Sequence, residues 1–304
     1  MSLVLKLRSI TQRIIISLIR FFRPLTESKI VRFCSFTATN QRYLSYEGQG
    51  VRYLLHAKDA AVSRRIFIGK GDEHQKVLRA LDIIQREGLA RPTTLADIGA
   101  NIGHICIPLV AAGVFTRAVG FEPEPENFKL FKINVMLNAL DERIQCFNVA
   151  LGAKDDESLE FELSEDNFGD HRVRITNSDG LYNESTRQTL LVRSGRLDTL
   201  LETSDPSELM LWIDVQGFEG LVLEGASKLV KSLIPIGSEF WPYGLKRANT
   251  FDQMFRHLSG YGHYFDLALE NPRPEPIETL EKLFNQYQHD DTFIMDILLI
   301  DRRA

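Results

Sequence analysis

Thr94-Leu-Ala-Asp-Ile-Gly-Ala-Asn-Ile-Gly103, followed by Arg117-Ala-Val-Gly-Phe-Glu122, is the stretch that decides the fold. A short apolar strand over 94–98 carries an acid, Asp97. A turn with Gly99 and Gly103 follows, then an apolar segment of helical length. A second strand over 117–121 delivers another acid, Glu122, 25 positions after Asp97. This order is the βαβ layout of a nucleotide-type cofactor site.

Working outward, the alternation continues. Helices are predicted over 101–112 and 125–138, and strands over 144–149 and 209–214. A helix over 218–229, a strand over 233–239, a helix over 251–258 and strands over 264–268 and 292–300 complete the core. Strands alternating with helices predict an α/β fold, a three-layer, doubly wound and mostly parallel sheet. The rhythm breaks over 152–193. There Ser158–Leu163 and Gln188–Val192 alternate like antiparallel strands, and the polar stretch between them has the composition of a functional or disordered loop. Upstream, 42–46 and 50–55 read as strands around a glycine turn, and 72–85 as a helix with Val77, Leu78, Leu81 and Ile84 on its apolar face. The expected domains are a basic amphipathic helix over 1–24, a cap over 25–92, and a core over 93–304 with an insertion at 152–193.

Net charge is −5, but residues 1–23 hold five basic side chains and no acid, leaving −10 on the remainder. A general nucleic-acid-binding surface is not suggested, and no nucleic-acid partner is expected. Three dispersed cysteines show neither a disulfide framework nor a zinc spacing, and no metal is expected. Residues 3–23 form an amphipathic pattern ended by Pro24 and interrupted by Arg13 and Arg20, too charged for a membrane span. Three readings stay open for it: packing on the domain or on a second subunit, as in a homodimer; peripheral contact with a membrane surface; or organelle targeting. The expected location is cytoplasmic, with membrane association through this segment as its variant.

The position of Asp97 discriminates between cofactors. In a dinucleotide site the first glycine of G-x-G-x-x-G stands near the pyrophosphate. An acid there repels phosphate and suits S-adenosylmethionine, which carries a sulfonium and an amine. Glu122 is placed to take both ribose hydroxyls. The lesser reading of Asp97 is a cap for the following helix; Gly99, Gly103 and Glu122 in their places favour the cofactor.

With these residues in view, the chain resembles the class I S-adenosylmethionine-dependent methyltransferases, and within them the FkbM-type family. The core motif is Asp97-Ile-Gly-Ala-Asn-Ile-Gly103. The later run Trp212-Ile-Asp-Val-Gln-Gly-Phe-Glu219 is similar to that family's Lys-Ile-Asp-Val-Glu-Gly-x-Glu, with Trp212 where lysine is common. Leu197-Asp-Thr-Leu-Leu201 and Gly71-Asp-Glu73 look like further landmarks, and the likeness spans roughly residues 50–270. The resemblance implies a Rossmann-like sheet of seven strands and methyl transfer, usually to a hydroxyl of a sugar, glycolipid or other natural product. The cofactor set it implies is Glu73, Asp97, Gly99, Ala100, Asn101, Gly103, Glu122, Pro123, Asn148 and Ala150.

Removing a hydroxyl proton needs a base within hydrogen-bond reach. The candidates are Asp214, ending a strand at the carboxyl edge of the sheet; His171, in a polar loop; and Glu239, ending the next strand. Arg172 is expected to reach an anionic group on the acceptor, and Trp241 and Tyr243 to stack against it. Asp214 can also be read as a helix cap, and Trp241 and Tyr243 as packing. Competing functions are an N- or nucleic-acid methyltransferase, and a catalytically idle cofactor-binding module attached through residues 1–23.

Overall fold

A computed structural model describes residues 29–71, 73–201 and 205–301. The helix expected over 1–24 lies outside the described residues. Among those described, no helix is long and apolar enough to cross a membrane.

After a helix at Lys29–Ala38, strands β1 (Tyr43–Gly48) and β2 (Val51–His56) form an antiparallel hairpin. Its turn residues Gln49 and Gly50 both have positive φ, 56° and 78°, the geometry that matches the twist of paired strands. Alternate residues of β2 face inward. Val51, Tyr53 and Leu55 join Ile66 of the helix Val62–Phe67, and Val77, Leu81 and Ile84 of the helix His74–Arg86. That apolar layer lies against Leu95, Met210 and Trp212 of the central sheet, so the N-terminal region shares the main core.

The central sheet takes its parallel strands from β3 (Thr94–Ile98), β4 (Arg117–Phe121) and β5 (Ile144–Phe147), then β10 (Leu209–Ile213) and β11 (Ile236–Phe240). Between β5 and β10 the insertion builds its own sheet from β6 (Ala150–Leu151), β7 (Ser158–Leu163), β8 (Arg172–Val173) and β9 (Gln188–Gly195). The order in it is β6-β9-β7-β8, with β7 antiparallel to β9 and to β8. The chain closes with β12 (His263–Asp266), β13 (Glu275–Pro276) and β14 (Met295–Leu299). The central order is β13-β12-β14-β11-β10-β3-β4-β5, with β14 antiparallel to β11 and β12. The sheet therefore has eight strands where seven were expected; the eighth is the two-residue edge strand β13.

Both faces of this sheet are covered. Successive residues of β10 divide between two cores, Met210 and Trp212 on one side and Leu209, Leu211 and Ile213 on the other. That is why its sequence is continuously apolar rather than alternating. From β3 the chain winds outward through β4 to β5, then returns to place β10 on the other flank of β3. The carboxyl ends of β3 and β10 thus flank the switch point, where open α/β sheets leave a crevice.

The helix expected over 101–112 begins only at Cys106. The intervening residues are used by a turn in which Gly99, Asn101 and Gly103 all have positive φ. The helix expected over 218–229 is two, Glu219–Gly225 and Ser227–Lys231. The strand expected over 233–239 starts at Ile236, after Pro235, which has no N–H for a ladder.

Candidate active site

A cavity with an empty volume of about 530 Å³ opens at the switch point. Its floor is Gly99 and Asn101, and Glu122 and Pro123 follow from the end of β4. Val149, Ala150 and Leu151 form an apolar wall, and Phe161, Phe168 and His171 of the insertion stand over it. Asp214, Gln216 and Phe218 close the end beside β10.

The floor is set by backbone geometry. The N–H groups of Gly99 and Ala100 both donate to the Phe121 carbonyl, at 3.0 Å each. Gly99 has φ +88°, and a Cβ there would lie 1.9 Å from the Asp214 carbonyl oxygen. No side chain fits, so the turn after β3 and the loop after β10 meet backbone to backbone. Gly99→Ala is expected to lower stability by about 1–3 kcal/mol from the φ conformation alone, before the clash is counted; a thermal melt of the variant checks this.

Asp97 and Gly103 support this turn from beneath. The Asp97 carboxylate is 1% exposed, and its Oδ2 accepts from the Cys106 N–H at 3.1 Å. It therefore anchors the start of the following helix, and it does not line the cavity. Ala100 is likewise fully buried. Asn148 lies outside the cavity lining too; its amide donates to the carbonyls of Glu122 (2.9 Å) and Pro123 (3.0 Å) and fixes the segment that leads to Ala150.

Glu122 faces the cavity with both carboxylate oxygens already engaged by backbone. Oε1 accepts from Glu124 N–H and Oε2 from Asn101 N–H, each at 2.8 Å. Burial pushes its carboxyl up to about 8 against those two donors. The roughly four lone-pair directions of a carboxylate exceed what two N–H groups use, so hydroxyl donors can still be accepted.

The roof was not legible as a site beyond His171. The Phe168 carbonyl accepts from the side-chain amides of Asn101 (2.9 Å) and Asn127 (3.2 Å), and the Phe168 N–H donates to Asp59 Oδ1 at 3.2 Å. Three segments far apart in sequence thus hold the insertion against the cofactor turn. His171 lines the cavity, and its Nδ1 accepts from the Ser164 N–H at 3.0 Å. Burial, then the Arg187 charge, push it down to about 4. A neutral ring whose Nδ1 is an acceptor carries its proton on Nε2. In this geometry His171 is a donor to the cavity, which corrects its assignment as the base.

The acids gather at the other end. The Gln216 side-chain amide donates to Asp214 Oδ1 (2.6 Å) and to Glu239 Oε2 (3.0 Å), bridging them. Asp214 lines the cavity, whereas Glu239 stands one hydrogen bond behind it. Burial pushes Asp214 up to about 6, with the Gln216 bond opposing. Burial and then the Asp214 charge push Glu239 well above the usual range. The pair therefore holds one proton more readily than it holds two charges. Asp296, opposite Glu239 on β14, pairs with Lys76 at 2.6 Å. Glu219, 1% exposed, accepts from the N–H groups of Val215 and Gly217 at 3.2 Å each, which ties the Asp214–Glu219 loop into shape. Glu73 lies away from the cavity lining; it bonds His104 at 2.8 Å and Arg65 at 2.6 Å, and its carboxyl is held at about 2, those partners outweighing burial.

The expected aromatic rim is interior. Trp241 is 2% exposed and Tyr243 9%. Trp241 Nε1 donates to the Asp291 carbonyl at 3.2 Å, and Tyr243 Oη donates to Glu184 at 2.8 Å while accepting from Leu181 N–H at 2.8 Å. Neither lines the cavity; both rings pack the insertion onto the helix Pro242–Ala248. Arg172 is also buried, ion-paired to Glu162 at 3.0 Å.

The family described as the methyltransferase FkbM domain matches residues 97–265, more than half of the chain. The chain belongs to the FkbM methyltransferase family. It is therefore an S-adenosylmethionine-dependent methyltransferase. A search of curated proteins returns no match to the chain. Among solved structures, the FkbM methyltransferase of Methylobacillus flagellatus KT is 16% identical with a TM-score of 0.38, over 76% of this chain and 52% of that one. The tRNA m1G37 methyltransferase of M. jannaschii is 11% identical with a TM-score of 0.38, over 86% and 54%. Residues 961–1257 of the StiE O-methyltransferase are 14% identical with a TM-score of 0.41, over 80% and 78%. The chain spans about half the length of the first two. The expectation that nucleic acid is no partner gains no support from these likenesses.

The cavity of this FkbM methyltransferase fits its cofactor. An apolar wall at Val149–Leu151 suits a purine ring, Glu122 suits a ribose diol, and no basic side chain for a pyrophosphate lines the floor.

Proposed function

We propose that this methyltransferase acts on a hydroxyl oxygen of a small or carbohydrate-like acceptor, with Asp214 as the base. The observation that carries this reading is the Asp214–Gln216–Glu239 bridge at the cavity end, where burial sets Asp214 near 6. A carboxylate with that affinity for protons is mostly ionised at neutral pH, yet is more basic than a solvated one. S-adenosylmethionine, when bound, supplies a methyl carbon activated by a sulfonium. Glu122 accepts the ribose hydroxyls, Asn101 and the Gly99 turn shape the floor, and the apolar wall excludes water. Asp214 takes the hydroxyl proton, and Gln216 holds that carboxylate in place. Glu239, whose charge burial disfavours, gives the bridge its second acceptor. His171 presents Nε2–H as a donor that orients the acceptor.

The test is calorimetric titration with S-adenosylmethionine, followed by labelled-methyl transfer to cell-extract fractions. Binding together with label on oxygen supports the reading; binding with label confined to nitrogen or nucleic acid overturns it. Gln216→Leu removes the donor that favours the charged form of Asp214, so the acidic limb of the pH–rate profile is expected to move to higher pH. Unshifted profiles would contradict the role given to Gln216.

A further inference from the structure

A second, smaller cavity, partly open to solvent, adjoins the first through Gln216, which lines both. Its wall holds three arginines, Arg172, Arg174 and Arg247, and one acid, Glu162. These belong to a larger buried cluster. Arg172 pairs with Glu162 (3.0 Å), Glu184 (3.4 Å) and Asp170 (3.5 Å). Arg174 pairs with Glu162 at 3.2 Å, Arg187 with Asp170 at 2.5 Å, and Arg247 with Glu184 at 3.3 Å. Four guanidinium groups thus share three carboxylates, and every side chain in the set is between 0 and 13% exposed.

The cluster is one negative charge short. Burial pushes Asp170 upward, so any protonation there widens the deficit. Arg172, 4% exposed, also has a buried Nη1 with no hydrogen-bond partner. Its guanidinium carbon lies over the rings of Trp241 (5.2 Å) and Tyr182 (5.6 Å), which hold the plane but accept no conventional hydrogen bond. An unbalanced buried cation with an unused donor is costly unless an anion completes it. This cation borders a cavity that opens beside the carboxylate bridge.

We propose that the second cavity receives an oxyanion carried by the methyl acceptor, either a phosphate monoester or a carboxylate. The acceptor is then a hydroxyl compound with its anionic group a short distance from the methylated oxygen. The planar forks of arginine match both oxyanions in the same way. Arg247 and Arg174 supply the charge at the cavity, and Arg172 holds them in register through Glu162 and Glu184. The inference rests on Asp214 and Gln216 marking the acceptor end.

The experiment uses the full chain saturated with S-adenosylhomocysteine, titrated at constant ionic strength with inorganic phosphate, methyl phosphate, acetate and glycerol. Phosphate with methyl phosphate, or acetate, is expected to bind where glycerol does not, and the tighter of the two classes names the acceptor's group. Arg247→Gln and Arg174→Gln are each expected to weaken that binding by about tenfold or more, as for loss of a charged hydrogen bond, while S-adenosylhomocysteine binding holds. No oxyanion bound tighter than glycerol, or equal binding by both variants, would overturn the proposal. Loss of S-adenosylhomocysteine binding in the unmodified protein would instead contradict the cofactor site itself.

Discussion

Asp214→Asn should lower kcat/KM by about 10²- to 10⁴-fold, the usual contribution of a positioned general base, and leave S-adenosylmethionine binding close to wild type. The substitution keeps an oxygen that can accept from Gln216, so the loop geometry is conserved and only the capacity to take a proton is lost. The pH dependence follows from the same residue. Asp214 must be ionised to act, and burial places it near 6, so wild-type kcat/KM should fall as pH drops through that value. The variant should show no such limb. Full turnover by Asp214→Asn, with its folding verified by a melt, would remove Asp214 from the chemistry and turn attention to a reaction in which the acceptor needs no base. Glu239→Gln should have a smaller effect, because burial disfavours the Glu239 charge and the side chain stands one hydrogen bond behind the cavity.

Above about pH 8, where Glu122 is ionised, Glu122→Gln should weaken cofactor binding by roughly 1.5–3 kcal/mol per charged hydrogen bond lost, and less at lower pH, an effect read by calorimetry. The wild-type protein adds a distinctive pH signature. With burial pushing Glu122 to about 8, the ionised form that best accepts two ribose hydroxyls becomes more populated above that pH, so affinity should rise as pH increases through it. Stability without cofactor runs the other way. The folded-state value lies above the ordinary 4.5, so the folded protein holds the proton more tightly and loses stability as pH climbs from about 4.5 to about 8. The variant should show neither trend. Affinity that does not change with pH in the wild type would mean that Glu122 is ionised throughout, held by the Asn101 and Glu124 N–H groups.

The βαβ unit at 94–122 was legible because its strands are short, apolar and bounded by turn residues, and both strands lie where the pattern puts them. Asp97 shows where such reading stops. The motif position marks an acid near the cofactor, but whether its carboxylate turns outward or back to Cys106 depends on where the helix starts, and three positive-φ residues delay that start. Trp241 and Tyr243 were misplaced for a related reason. Aromatic residues after a strand read equally well as a sugar platform or as packing, and the partners that bury them, Tyr182 and Glu184, lie about sixty residues away. His171 lines the cavity, and its tautomer is set by a backbone N–H at Ser164 that no motif contains. Arg172 was singled out for an anion; the structure puts it in a buried network whose charge shortfall shows only when all seven partners are brought together.

The most direct test of the central claim supplies S-adenosylmethionine labelled with ¹³C on its methyl group to wild-type protein and to Asp214→Asn in the presence of fractionated cell extract. The fate of the label is then followed by NMR. Transfer by the wild type to an oxygen of a small hydroxylated compound, with loss of that transfer in Asp214→Asn, is the predicted result. Transfer to nitrogen, transfer to nucleic acid, or no transfer by a wild-type protein that binds the cofactor would contradict it.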